Sequence, residues 1–242
     1  MNEAKPDFSN SAYLFPSINR EGIRFGTIAL ILAFLYAAAT GVVGFLWCPL
    51  AAAAMGAFIV PFFLLAYGVF LFFRDPERYP PNDAKAILSP ADGRICLVQK
   101  KPLPAELGET DGAEHWRVSV FMSVFNVHVN RMPTAAKILK KVHVQGKFLN
   151  ASLDKASTDN ERCCYLMRTP DGVKYGVVQI AGLVAKRIVP FVEEGAELDR
   201  VQRFGLIRFG SRLDVYLPVG VEPEVRPGQI MVAGETILGH LK

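Results

Sequence analysis

The sequence predicts a mainly β, barrel-sandwich-like soluble domain behind an N-terminal helical hairpin that spans or inserts into a membrane. Three observations carry this expectation. Apolar residues make up 51% of the 242, and they crowd between Thr27 and Phe73. Beyond Arg74 the apolar runs are short, alternate with polar residues, and are broken by Gly or Pro every eight to twelve residues or so, the spacing of a sandwich or barrel. Only "GLVAKRIVPFV" carries some helical spacing there, and it is short.

The hairpin comes first. "GTIALILAFLYAAATGVVGFLW" and "PLAAAAMGAFIVPFFLLAYGVFLFF" contain no charged residue. Each is long enough to cross about 30 Å of hydrocarbon as a helix. A tight turn at Cys48-Pro49-Leu50 returns the chain to the side it came from. Arg20 and Arg24 precede the pair and Arg74, Arg78 and Lys85 follow it, while the turn carries no basic residue. Basic flanks favour the cytoplasm. The expected organisation is a cytoplasmic segment at 1–26, the hairpin at 27–73 and a β-rich domain at 74–242, on the cytoplasmic face of the membrane. A hairpin that dips without crossing is the competing arrangement. The run starts too late and continues too long for a cleaved signal peptide. Pro61 is expected to kink the second helix, and Ala37–Ala39 with Ala51–Ala54 to let the helices approach.

A Pro-rich linker, "RDPERYPPNDAKAILSPADGRI", leads into the strands. "GRICLVQ", "HWRVSVFMS", "VHVNRM", "AKILKKVHVQG", "CCYLMRT", "VKYGVVQIAG" and "LDVYLPV" follow as period-two or β-branched runs. The Gly-punctuated tail "EVRPGQIMVAGETILGHL" has the rhythm of lipoyl and biotinyl carrier hairpins. No lysine stands at the turn where either cofactor would attach, so the tail reads as scaffold.

Composition narrows the function. A net charge of +4 and a pI near 8.9 are too weak for a nucleic-acid partner. A modest positive excess beside a membrane anchor suits anionic lipid better. Cys48, Cys96, Cys163 and Cys164 show no metal-ligand spacing and read as small buried residues in a reduced compartment. His115, His143 and His240 read as structural, and Lys137, Lys140 and Lys141 as a solvated face. Lys186-Arg187 reads equally as ordinary surface or as a site facing lipid head groups.

One stretch stands apart. In "RFGLIRFGSRLDVYLP", Arg203 to Pro218, the Gly210-Ser211 pair interrupts what otherwise reads as strand, turn, strand. It falls within the second run, where a glycine weakens pairing. Taken alone it reads as a β-bulge. Together, "SPADGRI", "FNVHVNRMP", "GLVAKRIVPFV" and "RFGLIRFGSRLDVYLP" resemble, in order, blocks of the phosphatidylserine decarboxylases, in particular their short membrane-anchored bacterial type. The resemblance covers nearly the whole chain.

What it implies is a proenzyme that cuts its own backbone between Gly210 and Ser211. A β chain, 1–210, and an α chain, 211–242, would result. Ser211 would become a pyruvoyl group that forms a Schiff base with the serine head group, and carbon dioxide would leave to give phosphatidylethanolamine. No metal is implied. The partners implied are phosphatidylserine in the membrane, the chain's own two fragments, and a second copy in a homodimer. The residue types suit the chemistry: glycine reaches backbone conformations closed to other residues, and serine carries both the hydroxyl for acyl transfer and the α-proton for elimination.

The resemblance also nominates helpers. Asp92 matches the acid of an Asp-His-Ser relay in the longer relatives, and a carboxylate-oriented histidine is a common way to activate a hydroxyl. His128 matches the first of two histidines those relatives carry in this block; Arg131 stands in place of the second. The base for self-cleavage is therefore left open: His128 serves either both steps or only the decarboxylation. Arg131 is free to hold the lipid phosphate, and Asn126 and Asn130 are candidate hydrogen-bond partners. The same residues admit a membrane-bound serine hydrolase using Ser211 without cleavage, although no Gly-x-Ser-x-Gly elbow is present. A non-enzymatic adaptor on a membrane hairpin is the third arrangement.

Overall fold

The computed structural model describes residues 17–109, 112–149, 151, 154, 156–182, 187–208 and 210–242. It divides into two compact units, residues 1–77 and 78–242.

In the first unit, α1 (Arg20–Leu46) begins behind Asn19, whose side chain accepts from the Glu21 N–H at 3.1 Å, a capping contact. The return path is α2 (Pro49–Gly56) and α3 (Ile59–Phe72). The break falls at Ala57–Phe58, just ahead of Pro61. The proline thus sits in the first turn of α3, where its missing N–H would have had no helical partner anyway. The helices meet mainly through glycines, and of the alanines expected Ala52 takes part. Gly22 lies against Phe73, Gly26 against Phe70 and Gly44 against Ala52, while Ala38, Ala39, Ala51, Ala53 and Ala54 are exposed. With buried Ala33 and Thr40, the close-contact positions 22, 26, 33, 40 and 44 recur at intervals of four and seven, one face of α1. A two-strand clasp, β1 (Ser17–Ile18) with β2 (Arg74–Asp75), ties the ends of the hairpin. The unit consequently runs on to Glu77 rather than stopping at Phe73. By length and composition α1 and the α2–α3 pair are each able to cross a membrane.

The second unit is built from antiparallel strands. Its first half comprises β3 (Ala86–Leu88), β4 (Gly93–Pro102), β5 (Glu114–Met122), β6 (Val129–Arg131), β7 (Ala136–Val144) and β8 (Arg162–Arg168). Its second half comprises β9 (Lys174–Ala181), β10 (Arg187–Pro190), β11 (Glu197–Leu198), β12 (Arg203–Arg208), β13 (Ser211–Tyr216), β14 (Ile230–Met231) and β15 (Ile237–His240). Eight of them form one sheet in the order β11-β7-β8-β9-β13-β5-β4-β14; three form a smaller sheet, β10-β12-β6; β15 pairs with β3. The main core lies between the larger two sheets, joining Val118, Val120, Leu213 and Val215 to Phe204 and Ile207. Tyr165 and Phe204 meet edge-on there at 5.4 Å. A second cluster, including Cys164, Val178, Ile180 and Tyr216, covers the other face of the large sheet.

Two expectations change. "GLVAKRIVPFV" contributes a strand rather than a helix, because Ile188 and Val189 pair with Ile207 and Leu206 of β12; residues 183–186, including Lys186, lie outside the described residues. In the C-terminal tail, β14 and β15 do not form a hairpin with each other. They pair back to β4 and β3, near the start of the unit. The stretch 211–242 is therefore woven into sheets made mostly by the rest of the chain.

Candidate functional site

The Gly210-Ser211 bond lies between strands rather than within one. β12 belongs to the small sheet and β13 to the large one, so the bond is where the chain passes between them. Periodicity alone reads the stretch as strand, turn, strand, with the glycine-serine pair inside the second run. Gly210 has φ +65°, a region glycine enters without the penalty that a β-carbon brings. Its carbonyl oxygen is wedged close to Gly182, where a β-carbon would stand 2.1 Å away.

Ser211 is fully buried and opens β13, the central strand, between Met122 of β5 and Ala181 of β9. Strand alternation sends Ser211, Leu213 and Val215 to the main core and Arg212, Asp214 and Tyr216 to the opposite face. The Ser211 Oγ lies 3.8 Å from the Met122 Sδ, a soft, weak acceptor. Asn130 Nδ2 approaches the same sulfur at 3.7 Å. Asn130 Oδ1 accepts from Gln179 Nε2 at 2.8 Å, and Gln179 Oε1 accepts from the Tyr165 hydroxyl at 2.9 Å. Gly205 leaves room for this chain, since a β-carbon there would lie 2.7 Å from Gln179 Nε2. Met122, Gln179 and Tyr165 were not singled out by sequence; only their shared buried face marks them. Burial pushes the Tyr165 phenol well above its ordinary pKa, so it stays a donor.

On the other face Arg212 and Asp214, both fully buried, form an ion pair with Nε–Oδ1 at 2.9 Å. Arg212 also donates to the Ala151 carbonyl at 3.1 Å and to the Ser157 hydroxyl. Ser157 Oγ donates to Asp214 Oδ2 at 2.8 Å. Arg117 joins through Ser157 and Asp154. Burial alone would lower the Arg117 pKa, but Asp214 and Asp154 outweigh it and hold the guanidinium charged.

The nominated helpers fall into two groups. His128 is buried, and its Nδ1 stands 2.9 Å from the Asn126 carbonyl. A carbonyl only accepts, so Nδ1 carries the proton and the neutral ring has its lone pair on Nε2. The histidine is thus oriented by backbone, where the sequence offered Asp92. Asp92 instead accepts from Arg78 at 2.8 and 2.9 Å and from the Ala233 N–H at 2.8 Å. The Ser89–Asp92 block also bonds to Gly234 and Arg131 through backbone, at 2.7 and 2.9 Å, locking β6 to the 232–236 turn. Gly93 ends the block at φ +151°, and a β-carbon there would lie 2.1 Å from the Phe121 carbonyl oxygen.

Arg131, expected to meet a phosphate, is buried with Nη1 3.3 Å from the Val201 carbonyl. Val201 has φ +68° and is the one non-glycine residue with positive φ among the described residues, a costly conformation for a β-branched side chain. Asn126 Oδ1 accepts from the Ser123 N–H and hydroxyl at 2.9 and 2.8 Å, closing its own loop. Lys137 and Lys141 pair with Glu197 and Glu193 rather than standing free in solvent. Cys163 and Cys164 are buried, and burial pushes the Cys164 thiol up to about 12. Cys48, by contrast, is exposed at the hairpin turn. No group of three His, Cys, Asp or Glu side chains able to hold a metal occurs among the described residues.

Comparison with known proteins agrees with the four sequence blocks. The profile of the phosphatidylserine decarboxylase family matches residues 66–239. A phosphatidylserine decarboxylase proenzyme of Novosphingobium aromaticivorans is 48% identical over 239 residues, covering 96% of this chain and 89% of its own. That of Ruegeria pomeroyi is 51% identical over 208 residues, 86% of this chain and 91% of its own. That of Gluconobacter oxydans is 57% identical over 170 residues, 70% and 75% of the two chains. With a glycine-serine bond at a strand junction, a buried serine beside it and relatives matched almost end to end, the chain belongs to the phosphatidylserine decarboxylase family.

Proposed function

We propose that the chain is a self-processing decarboxylase that converts phosphatidylserine to phosphatidylethanolamine and carbon dioxide, and that it processes itself at Gly210-Ser211. The observation that carries this reading is the Gly210-Ser211 junction. A positive-φ glycine presents its carbonyl next to a buried serine, in a chain whose relatives are named proenzymes.

Self-cleavage needs Ser211 Oγ to attack the Gly210 carbonyl carbon while the Ser211 nitrogen leaves with a proton, exchanging a peptide for an ester. Removal of the Ser211 α-proton then expels the Gly210 carboxylate. The remaining enamine takes up one water and releases one ammonia, leaving a keto-acyl terminus on residue 211. The site suits these steps. Few strong partners compete for the hydroxyl, since its neighbour is a thioether. The positive φ of Gly210 lies off the regular β path. The pyruvoyl group supplies an electrophilic carbonyl for the head-group amine and a sink for the electron pair left as carbon dioxide departs.

His128, with its lone pair on Nε2, suits proton transfer. Asp92 suits an indirect part, holding the 89–92 block and the 232–236 turn in register with β6. Arg131 and Asn126 suit shaping of the substrate end of this region. After cleavage β13, β14 and β15 would keep 211–242 in place through β5, β9, β4 and β3. The hairpin would sit in the inner membrane with the catalytic unit on the cytoplasmic face, and the working form would be a homodimer.

Replacing Ser211 by alanine tests the reading. Ser211→Ala should give one uncut chain and no decarboxylation, while Ser211→Cys should still cut, more slowly. A single intact chain from an active preparation would overturn it, and labelling of that chain by a fluorophosphonate would favour a hydrolase.

A further inference from the structure

Strand β5 ends at Met122, the residue whose sulfur faces the Ser211 hydroxyl. The next residues form a short loop before His128. Asn126 pins that loop from within by binding Ser123 through side chain and backbone, at 2.8 to 3.0 Å. Held this way, the loop turns two apolar side chains outward: Val124 is 44% and Phe125 78% exposed. Neither is needed to close the loop, and exposing a phenylalanine to water is unfavourable.

A third exposed apolar residue lies alongside. Ile230 of β14, 68% exposed, pairs directly with Arg94 of β4, and Arg94 pairs with Phe121 of β5. Arg94 is itself exposed. Between the loop and this corner of the sheet is a hollow of about 390 Å³ lined by Gly93, Arg94, Phe121, Ser123, Asn126 and Ile230. One cation lines it and no carboxylate does. Apolar tips around a basic, acid-free hollow form a surface that matches the interface of an anionic bilayer: side chains enter the acyl boundary while the guanidinium meets phosphate and carboxylate.

We propose that the 123–126 loop and the β4–β14 corner dock on the surface of a phosphatidylserine-containing bilayer, with Val124, Phe125 and Ile230 in the interface and Arg94 at the head groups. The proposal rests on the reading above that the substrate is a membrane lipid. Continuity argues for it. The docked loop joins Met122, beside Ser211, to His128, so a lipid head group lifted at the hollow arrives next to the serine-bearing strand. A lipid that keeps its chains in the bilayer then needs only local displacement.

The test uses the full chain in proteoliposomes containing phosphatidylserine. Nitroxides are placed by Phe125→Cys and Ile230→Cys in a Cys48→Ser, Cys96→Ser background, with exposed Asp171 replaced by Cys as the aqueous reference. Sites 125 and 230 should relax more with oxygen than with an aqueous nickel chelate, and site 171 the reverse. Nickel accessibility at 125 and 230 equal to that at 171 overturns the proposal. So does shielding from both reagents with spin–spin broadening, which would mean that a second copy covers the patch. Independently, Phe125→Asp should raise the KM for vesicle substrate roughly tenfold, the scale of losing one buried aromatic, while cleavage into two fragments still goes to completion. An unchanged vesicle KM also overturns the proposal. A wild-type chain that fails to cut or decarboxylate defeats the functional reading instead, and the relaxation measurement would still report the docking.

Discussion

The carbonyl oxygen of Gly210 occupies the space a side chain on Gly182 would need: a β-carbon there would lie 2.1 Å from it. That neighbour is backbone and cannot swing aside. Adding one methyl group at 182 must therefore move the carbonyl that Ser211 attacks in the proposed self-cleavage. Displacements of about 1 Å at a reacting centre cost on the order of a hundredfold in rate. Gly182→Ala should slow the appearance of the two fragments by about that factor, read by denaturing electrophoresis over time. Hydroxylamine, which cleaves esters, should not rescue it, because the block precedes the ester.

The Arg212–Asp214 pair fixes the strand immediately after the Gly210-Ser211 bond. Removing Arg212 leaves buried Asp214 with only the more distant Arg117 at 3.9 Å, and breaking a buried pair costs up to about 3–5 kcal/mol in comparable sites. Arg212→Met should lower stability on that scale in chemical denaturation. The double change Arg212→Met, Asp214→Leu should recover much of the loss, since neither charge is then stranded.

Cys48 is a natural reporter of topology. It is exposed at the hairpin turn, whereas burial raises the thiol pKa of Cys96, Cys163 and Cys164 and so reduces their reactivity. If the hairpin crosses the bilayer, a membrane-impermeant maleimide added outside spheroplasts should label Cys48. Labelling only by a permeant reagent would indicate a hairpin that dips and returns.

The C-terminal end is predicted to loosen with alkali. The hydrogen bond to Glu224, then the charges of Glu224 and Asp83, raise the His240 pKa. A raised folded pKa means the contribution is fully present below the ordinary histidine value, about 6.5, and is lost as pH rises through the higher folded value. Amide exchange over Ile237–His240, after correction for intrinsic rates, should show protection falling in that window. His240→Gln should remove the step.

Much of this molecule was legible from residue order. The hairpin could be read because two long uncharged runs have few other uses, and the β unit because short alternating runs between glycines and prolines do not make helices. Gly210-Ser211 is nominated as the cleavage bond only through four blocks taken together, since Gly-Ser by itself is ordinary turn chemistry. Long-range pairing was hidden. Nothing local tells β14 and β15 to seek β4 and β3, or separates β12 from β13 into different sheets. Gln179, Met122 and Tyr165 look like core residues in any strand, and their convergence near Ser211 follows from register. Asp92 was nominated as a relay acid by its block; its partner Arg78 was hidden, fourteen positions upstream in a Pro-rich linker that offers no periodicity to follow.

Intact mass of the purified full-length protein, taken under denaturing conditions, addresses the central claim most directly. The account predicts two species, residues 1–210 with an ordinary carboxyl terminus and residues 211–242 lighter by one ammonia than a fragment with a free serine terminus. The shorter species should gain two hydrogens on borohydride treatment. A single uncut chain with full activity, or a short fragment with an unmodified serine amine, would contradict it.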